Sequence, residues 1–252
     1  MRVHSRTLIE HRWLGSPIHA TMVARPNKFL ALCRLAGRIV EAHVPDRGRC
    51  LDLLVPGQPL VLVAVPADPA TPPRRTGYTV LLARARTPPS PWVCLDPAGA
   101  PRLVAAALAQ GMIPELAGHV VVGRELMLPG HRIRPRPRID LLLRGPSGAG
   151  VFCEVKSVGA ARGDVALFPD APTLRGLRHL ALLSRRARRG LPAALVLCAQ
   201  RDDVRAIATD EAIDPAFARA LRSARRAGVL VAGLACAAHP QGMELLGSIP
   251  VL

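Results

Sequence analysis

The segment "RIDLLLRGPSGAGVFCEVKSV", residues 138 to 158, constrains the fold more than any other stretch of the chain. Two apolar, strand-like runs flank "GPSGAG", whose Gly, Pro and Ser content marks a hairpin turn. Yet Asp140, Glu154 and Lys156 stand inside those runs, where a buried sheet calls for apolar residues. If pairing is symmetric about Ser147, facing residue numbers sum to 294 and Asp140 lies opposite Glu154. Facing residues in an antiparallel pair hold their Cβ atoms about 4.5–5.5 Å apart on one face. Glu154 and Lys156, two apart on one strand, share that face, while Cys153 and Val155 point to the other. Two acids and one amine are therefore expected to converge.

Two facing carboxylates repel one another and raise the affinity of their site for a hard cation. Mg²⁺ is satisfied by a couple of carboxylates together with waters and a phosphate oxygen. A neighbouring ammonium can position water or neutralise charge growing on a phosphate, so the constellation suits phosphodiester cleavage. "EVK" alone more often marks a solvated sheet face. The hairpin partner, the apolar flanks and the lysine itself argue otherwise, because Lys28 and Lys156 are the only lysines among 34 basic residues.

The formal net charge of +16 suits a polyanionic partner, with nucleic acid the first candidate. A GC-rich coding sequence also produces such an arginine bias, so charge alone leaves a nucleic-acid binder and a basic bystander both open. Six cysteines are scattered without a C-x-x-C pair and read as buried thiols of a reducing compartment, not as a zinc or disulfide framework. The opening residues lack a signal peptide's apolar stretch, and no segment approaches a membrane span, which predicts a cytoplasmic protein.

After a frayed leader, "TMVARPNKFLALCRL" and "RIVEAHVP" read as two strands joined at Ala36-Gly37. "LLVPGQPLVLVAVP" and "YTVLLARAR" supply further strands, and several short strands with little helix suggest an OB-like β-barrel over residues 1–86. "TPPSPW" at 87 to 92 reads as a stiff linker. From residue 92 to 252 the pattern changes to a helix stopped at Gly111, strands, a helix with Pro172 in its first turn, the buried strand "AALVLCAQ", a helix opened by Asp214-Pro215, and "VLVAGLAC" as a final strand. That order predicts an α/β sandwich with a mixed sheet.

The D…ExK arrangement after a helix resembles the PD-(D/E)xK nuclease superfamily. The chain as a whole, from about Arg25 onward, resembles the sugar fermentation stimulation protein A family through "RPNKF", "AHVPDRG", "IPELAG", "RIDLLL", "CEVKSV", "FPDAPTLRGLRHL" and the "QR" at 200 to 201. The resemblance implies an OB-like nucleic-acid-binding domain followed by a nuclease-like domain. In the latter, Asp140, Glu154 and Lys156 match the active-site triad, and the backbone carbonyl of Val155 joins the two acids around Mg²⁺ or Mn²⁺. Glu115, in "IPELAG", matches a supporting acidic position; its plainer reading is an exposed acid at a helix end. Gln200 and Arg201 match polar positions beside the scissile phosphate; otherwise they are a polar strand end.

In "FPDAPTLRGLRHL", Arg175, Arg178 and His179 are spaced to share a helix face that would touch the nucleic-acid backbone. A buried, hydrogen-bonded His179 is the alternative, and "SRRARRG" beyond it reads as a solvated basic face. In the first domain, Arg25, Lys28, His43 and Arg47 are the expected nucleic-acid contacts. There "HVPDRG" departs from the family's His-x-Pro-Asn-Thr-Gly, putting Asp46 and Arg47 in place of the usual pair. The implied partner is DNA, with RNA second, no membrane, and a second copy of the chain also a candidate. The implied activity is metal-dependent nuclease action; the alternative is a non-catalytic DNA-binding regulator of sugar-metabolism genes.

Overall fold

The structure, a computed structural model, describes residues 8–11, 15–65, 75–127 and 138–252. The remainder, including most of the expected leader, lies outside the described residues. The chain divides into two compact units. One comprises Met1–Gly99 with Gln200–Asp203 and Cys236–Leu245, the other Ala100–Ala199, Val204–Ala235 and Leu246–Leu252.

Strand β1 (Leu8–Glu10) comes from the leader, and β2 (Ile18–Asn27), β3 (Leu30–Leu35), β4 (Arg38–His43), β5 (Pro59–Ala64), β6 (Tyr78–Arg84) and β7 (Trp92–Cys94) follow. The last six form a sheet in the order β4-β3-β2-β5-β6-β7. A parallel pairing of Ala42 and His43 with Tyr78 and Thr79 brings β4 back against β6. Closure of this kind removes the open edges of β2–β6 and makes the five-stranded OB barrel that the alternating runs predict. Met22, Ala31, Cys33, Ala42, Leu60, Leu62 and Val80 fill it, an aliphatic core as expected from so few aromatics. The Ala36-Gly37 hairpin is present, both residues having positive φ, as a two-residue turn between twisted strands requires.

Two expectations for this region need correction. "TMVARPNKFLALCRL" is two strands, because Asn27 Oδ1 accepts the Phe29 N–H at 2.9 Å and turns the chain at Lys28-Phe29. "TPPSPW" is a hairpin loop, not an interdomain linker, since β7 pairs antiparallel with β6. The Ser90 N–H bonds Thr87 O at 2.8 Å, and Arg84 donates to Ser90 O while its guanidinium lies 4.3 Å from the Trp92 ring centroid.

The remaining elements are α1 (Ala100–Ala109), β8 (Val120–Met127), β9 (Arg138–Arg144), β10 (Gly150–Val158), β11 (Ala161–Arg162), β12 (Val165–Phe168), α2 (Leu174–Ala187), β13 (Ala193–Ala199), β14 (Ala206–Thr209), α3 (Pro215–Arg226), β15 (Leu230–His239) and β16 (Gly242–Ile249). A seven-stranded mixed sheet runs β1-β16-β15-β13-β10-β9-β8, and β11-β12-β14 form a small second sheet. Every residue of β13 is buried, as befits a central strand with parallel neighbours on both sides. Leu180 and Leu183 of α2 and Phe217 and Leu221 of α3 pack with Leu195 and Leu197 of β13.

Strand β16 was not foreseen: the chain does not end its sheet at "VLVAGLAC" but turns after His239 and returns, with the leader strand β1 paired to β16. The small sheet was also missed, its strands being too short to show a period. Among the described residues no helix is long and apolar enough to cross a membrane.

Candidate metal centre and active site

The hairpin register is the one the sequence predicts. Gly150, Val151, Phe152 and Cys153 face Arg144, Leu143, Leu142 and Leu141. Beyond Leu141 the side chain of Asp140 takes over from the backbone: its Oδ2 accepts the Val155 N–H at 2.8 Å. The carboxylate thus replaces a ladder carbonyl, which anchors Asp140 beside the start of the E-V-K stretch. Val151, Cys153 and Val155 are buried on one face of β10. Phe152, Glu154, Lys156 and Val158 share the other, which α2 covers: Arg186 lies 3.9 Å from the Phe152 centroid, and His179 reaches Glu154.

Glu154 is 1 % exposed, and one of its oxygens carries all its visible partners. Lys156 Nζ donates to Oε1 at 2.5 Å, and His179 Nδ1 is in contact with the same oxygen. Lys156 Nζ and His179 Nδ1 are themselves 3.4 Å apart. Glu154 Oε2, by contrast, is buried with no hydrogen-bond partner. A buried carboxylate oxygen without a donor is costly, and it marks a place where a ligand supplies what the protein does not.

The two acids are poised differently. Burial pushes Asp140 above the usual carboxylate range and the charge of Glu154 adds to it, against the Val155 N–H, Lys156 and His179, which pull it down. Burial likewise raises Glu154, but the His179 hydrogen bond and the charges of Lys156 and His179 outweigh it and hold its carboxyl below the usual value. The cluster therefore favours an ionised Glu154 and disfavours a second charge on Asp140 until a cation compensates it.

The donors present decide whether a divalent ion fits. Among the described residues no group of three or more His, Cys, Asp and Glu side chains forms a ready cage. Two carboxylates, one with an unpartnered buried oxygen, form the sparse all-oxygen set that Mg²⁺ completes with water and phosphate oxygens. The residues present fit such an ion.

Helix α2 is positioned by its own sequence. Thr173 is the N-cap, its Oγ1 accepting the Gly176 N–H at 3.0 Å, so Pro172 stands before the cap and not in the first turn as expected. Gly176 is required by close approach, because a Cβ there would meet Thr173 Cγ2 at 2.7 Å and Phe217 at 3.1 Å. Asp214 caps α3 through the Phe217 N–H and also accepts the Thr173 N–H, both at 2.9 Å, tying the two helix starts together.

His179 therefore takes the buried, hydrogen-bonded alternative and leaves the shared basic face. It is 5 % exposed and belongs to the acidic cluster, whereas Arg175 and Arg178 are exposed. The signal was available: Gly176, His179, Leu180 and Leu183 recur at the spacing of a buried helix stripe. In "SRRARRG", Arg186 is no solvated residue, since it donates to Pro192 O and Gly150 O and stacks on Phe152.

Glu115 is exposed on a single 3₁₀ turn, Pro114–Leu116, and takes no part in the contacts described above. Gln200 and Arg201 group with the first unit. There Gln200 Nε2 donates to Asp96 O at 3.2 Å. Arg201, 1 % exposed, forks onto Asp203 at 2.6 and 2.8 Å and lies 3.6 Å from Asp52. Its guanidinium works inside the fold, not on an exposed surface.

In the barrel, Arg25 donates to the carbonyls of Lys28, Gly48 and Arg49, clamping the β2–β3 turn to the "HVPDRG" loop. Asp46 Oδ1 accepts the Gly48 N–H at 2.8 Å, a turn-forming role that an Asn would also fill, so the departure in this motif leaves its backbone role intact. Lys28 and Arg47 are exposed and His43 is half-buried on β4.

Residues 23–95 match the SfsA N-terminal OB domain, and residues 99–242 match the sugar fermentation stimulation protein RE domain, a restriction-endonuclease-like domain. The chain belongs to the sugar fermentation stimulation protein family. A sugar fermentation stimulation protein homolog of Chloroflexus aggregans is 43% identical over 236 residues, covering 93% of this chain and 85% of the relative. A homolog of Symbiobacterium thermophilum is 38% identical, covering 93% of this chain and 94% of its own. The fold is similar to that of Pyrococcus furiosus SfsA, a structure described as in complex with Ca²⁺, with a TM-score of 0.81 and 24% identity over 99% of this chain and 100% of that one.

Proposed function

We propose that this protein is a divalent-metal-dependent nuclease that hydrolyses phosphodiester bonds of DNA, or of RNA, in the cytoplasm. The observation that carries the reading is the buried, unpartnered Oε2 of Glu154 beside Asp140, with Lys156 held on the same carboxylate. Asp140, Glu154 and the Val155 carbonyl would hold Mg²⁺ or Mn²⁺. When bound, such a cation polarises a phosphoryl oxygen and lowers the pKa of its water.

The chain's own groups do the rest. Lys156 presents an ammonium that can orient the attacking water and stabilise charge developing on the phosphate. His179 and Lys156 together hold Glu154 by one oxygen and leave the other for a ligand. The Asp140 bond to the Val155 N–H fixes the spacing between the two acids. The Ca²⁺ complex of the Pyrococcus furiosus relative supports a divalent ion in this family, and the charge of +16 together with an OB domain supports a nucleic-acid substrate. The same charge and barrel support a second reading, a DNA-binding regulator on a nuclease-like scaffold.

One assay separates them. Labelled single- and double-stranded DNA and RNA are incubated with the protein in Mg²⁺, Mn²⁺ or EDTA. Metal-dependent products that disappear in Asp140→Ala, Glu154→Ala and Lys156→Ala establish the nuclease. Binding without products under any metal establishes the regulator instead.

A further inference from the structure

Phe29 stands at the turn between the first two strands of the barrel and is 41 % exposed. Among the described residues it is the one Phe, Tyr or Trp left in that condition. Two cations drawn from two different loops lie over its ring, Lys28 Nζ at 5.0 Å and Arg47 at 6.0 Å from its centroid, and leave it partly open to solvent. Nothing apolar in the barrel core claims this ring, since Phe29 is absent from the cluster that fills it.

The backbone that carries the ring is nevertheless held in place. The Phe29 N–H donates to Asn27 Oδ1, and its carbonyl accepts the Val44 N–H, both at 2.9 Å. Arg25 binds the carbonyls of Lys28, Gly48 and Arg49 and so fixes the two cation-bearing loops to one another. A residue whose backbone is bonded on both sides and whose loop is clamped adds no backbone ordering cost at the moment of binding.

From this we infer that Phe29 is a stacking platform for a base of single-stranded nucleic acid, with Lys28 and Arg47 receiving the flanking phosphates. An aromatic face accepts any base, and the adjacent cations track the backbone, the combination by which single strands are gripped without sequence preference. A duplex hides its base faces, so the same turn offers it only two charges. The turn between the first two strands also belongs to the surface on which OB barrels take oligonucleotides. Arg25 contributes as the clamp, both of its terminal nitrogens being bonded to carbonyls.

This inference rests on the reading that the protein binds nucleic acid, and the test keeps the two apart. Full-length protein in EDTA is titrated with a thymidine oligomer of roughly 12 nucleotides carrying one 2-aminopurine. A blunt duplex of equal length is titrated in parallel. Phe29→Ala is expected to weaken single-strand binding roughly five- to a hundredfold and to abolish the 2-aminopurine quenching, while duplex affinity stays within about twofold. Phe29→Tyr keeps the ring and is expected to retain both signals. If Phe29→Ala leaves single-strand binding and quenching intact, or weakens both substrates equally, the platform is refuted while nucleic-acid binding stands. If the wild-type protein binds neither substrate, both ideas fall together.

Discussion

The chain's two lysines sit in opposite circumstances. Lys156 is partly buried against a carboxylate that is itself sealed from water, in contact with His179. Lys28 is exposed on a turn beside an exposed ring. Burying an ammonium and a carboxylate together costs solvation that their attraction barely repays, so such a pair stabilises a fold weakly and is best explained by what it does. An exposed cation costs nothing, and its role is contact. The difference teaches that in this arginine-rich chain the informative charges are the desolvated ones.

The largest effect expected from this contrast is kinetic. Lys156→Arg replaces a compact ammonium with a broad planar fork that does not fit the same niche, and is expected to lower metal-dependent cleavage at least about a hundredfold. Lys28→Arg keeps a cation in water and should leave cleavage and binding within about twofold. Equal tolerance at both positions, measured by single-turnover cleavage, would erase the contrast.

Next in size is the cost of uncovering the buried acid. His179→Ala removes one of the two partners of Glu154 Oε1 and is expected to destabilise the metal-free fold by about 2–3 kcal/mol in urea denaturation at neutral pH. Arg178→Ala, one residue away but exposed, should change stability by less than about 0.5 kcal/mol. Similar values for the two would mean that His179 is not part of the cluster.

A smaller effect concerns pH. Asp140 is held above the usual carboxylate range, so its protonated form is favoured by folding; it contributes stability at low pH that is lost as pH rises through its folded pKa. Glu154 is held below that range and contributes the reverse, stability present above the unfolded pKa and lost on acidification through its folded value. Metal-free Asp140→Asn should therefore gain stability relative to wild type as pH rises from acid to neutral. Urea midpoints that run parallel across that window would contradict the assignment.

The smallest effect belongs to the exposed side of the comparison. Arg47→Ala is expected to leave stability unchanged and to reduce the slope of log affinity against log salt by about 1, the signature of one lost phosphate contact. An unchanged slope would remove Arg47 from the interface.

How much of this could be read beforehand follows from where the forces act. The barrel, the mixed sheet and the register about Ser147 were legible because alternation, turn residues and a symmetric hairpin are local signals. The sequence leaves His179 open between a basic face and a buried, hydrogen-bonded site because two stripes overlap on α2, and the wider apolar one through Gly176, Leu180 and Leu183 governs which way the helix faces. Arg186 reads as part of a solvated basic face because its Gly150 carbonyl partner lies 36 residues away, whereas the burial of Arg201 is within local reach, its fork onto Asp203 lying only two residues on and Asp52 adding a contact from a separate loop. The hairpin at Thr87 to Trp92 read as a linker because its prolines hid the pairing of β7. Strand β16 and the strand from the leader depend on each other across more than two hundred residues, a pairing that no window of sequence reveals.

The central claim, that Asp140 and Glu154 together hold a divalent cation, is tested most directly by titrating the metal-free full-length protein with Mn²⁺ and following bound ion by electron paramagnetic resonance. The account predicts saturable binding in the wild type that is lost in both Asp140→Asn and Glu154→Gln, with each variant still folded. Absent binding in the wild type, or undiminished binding in either variant, would contradict it.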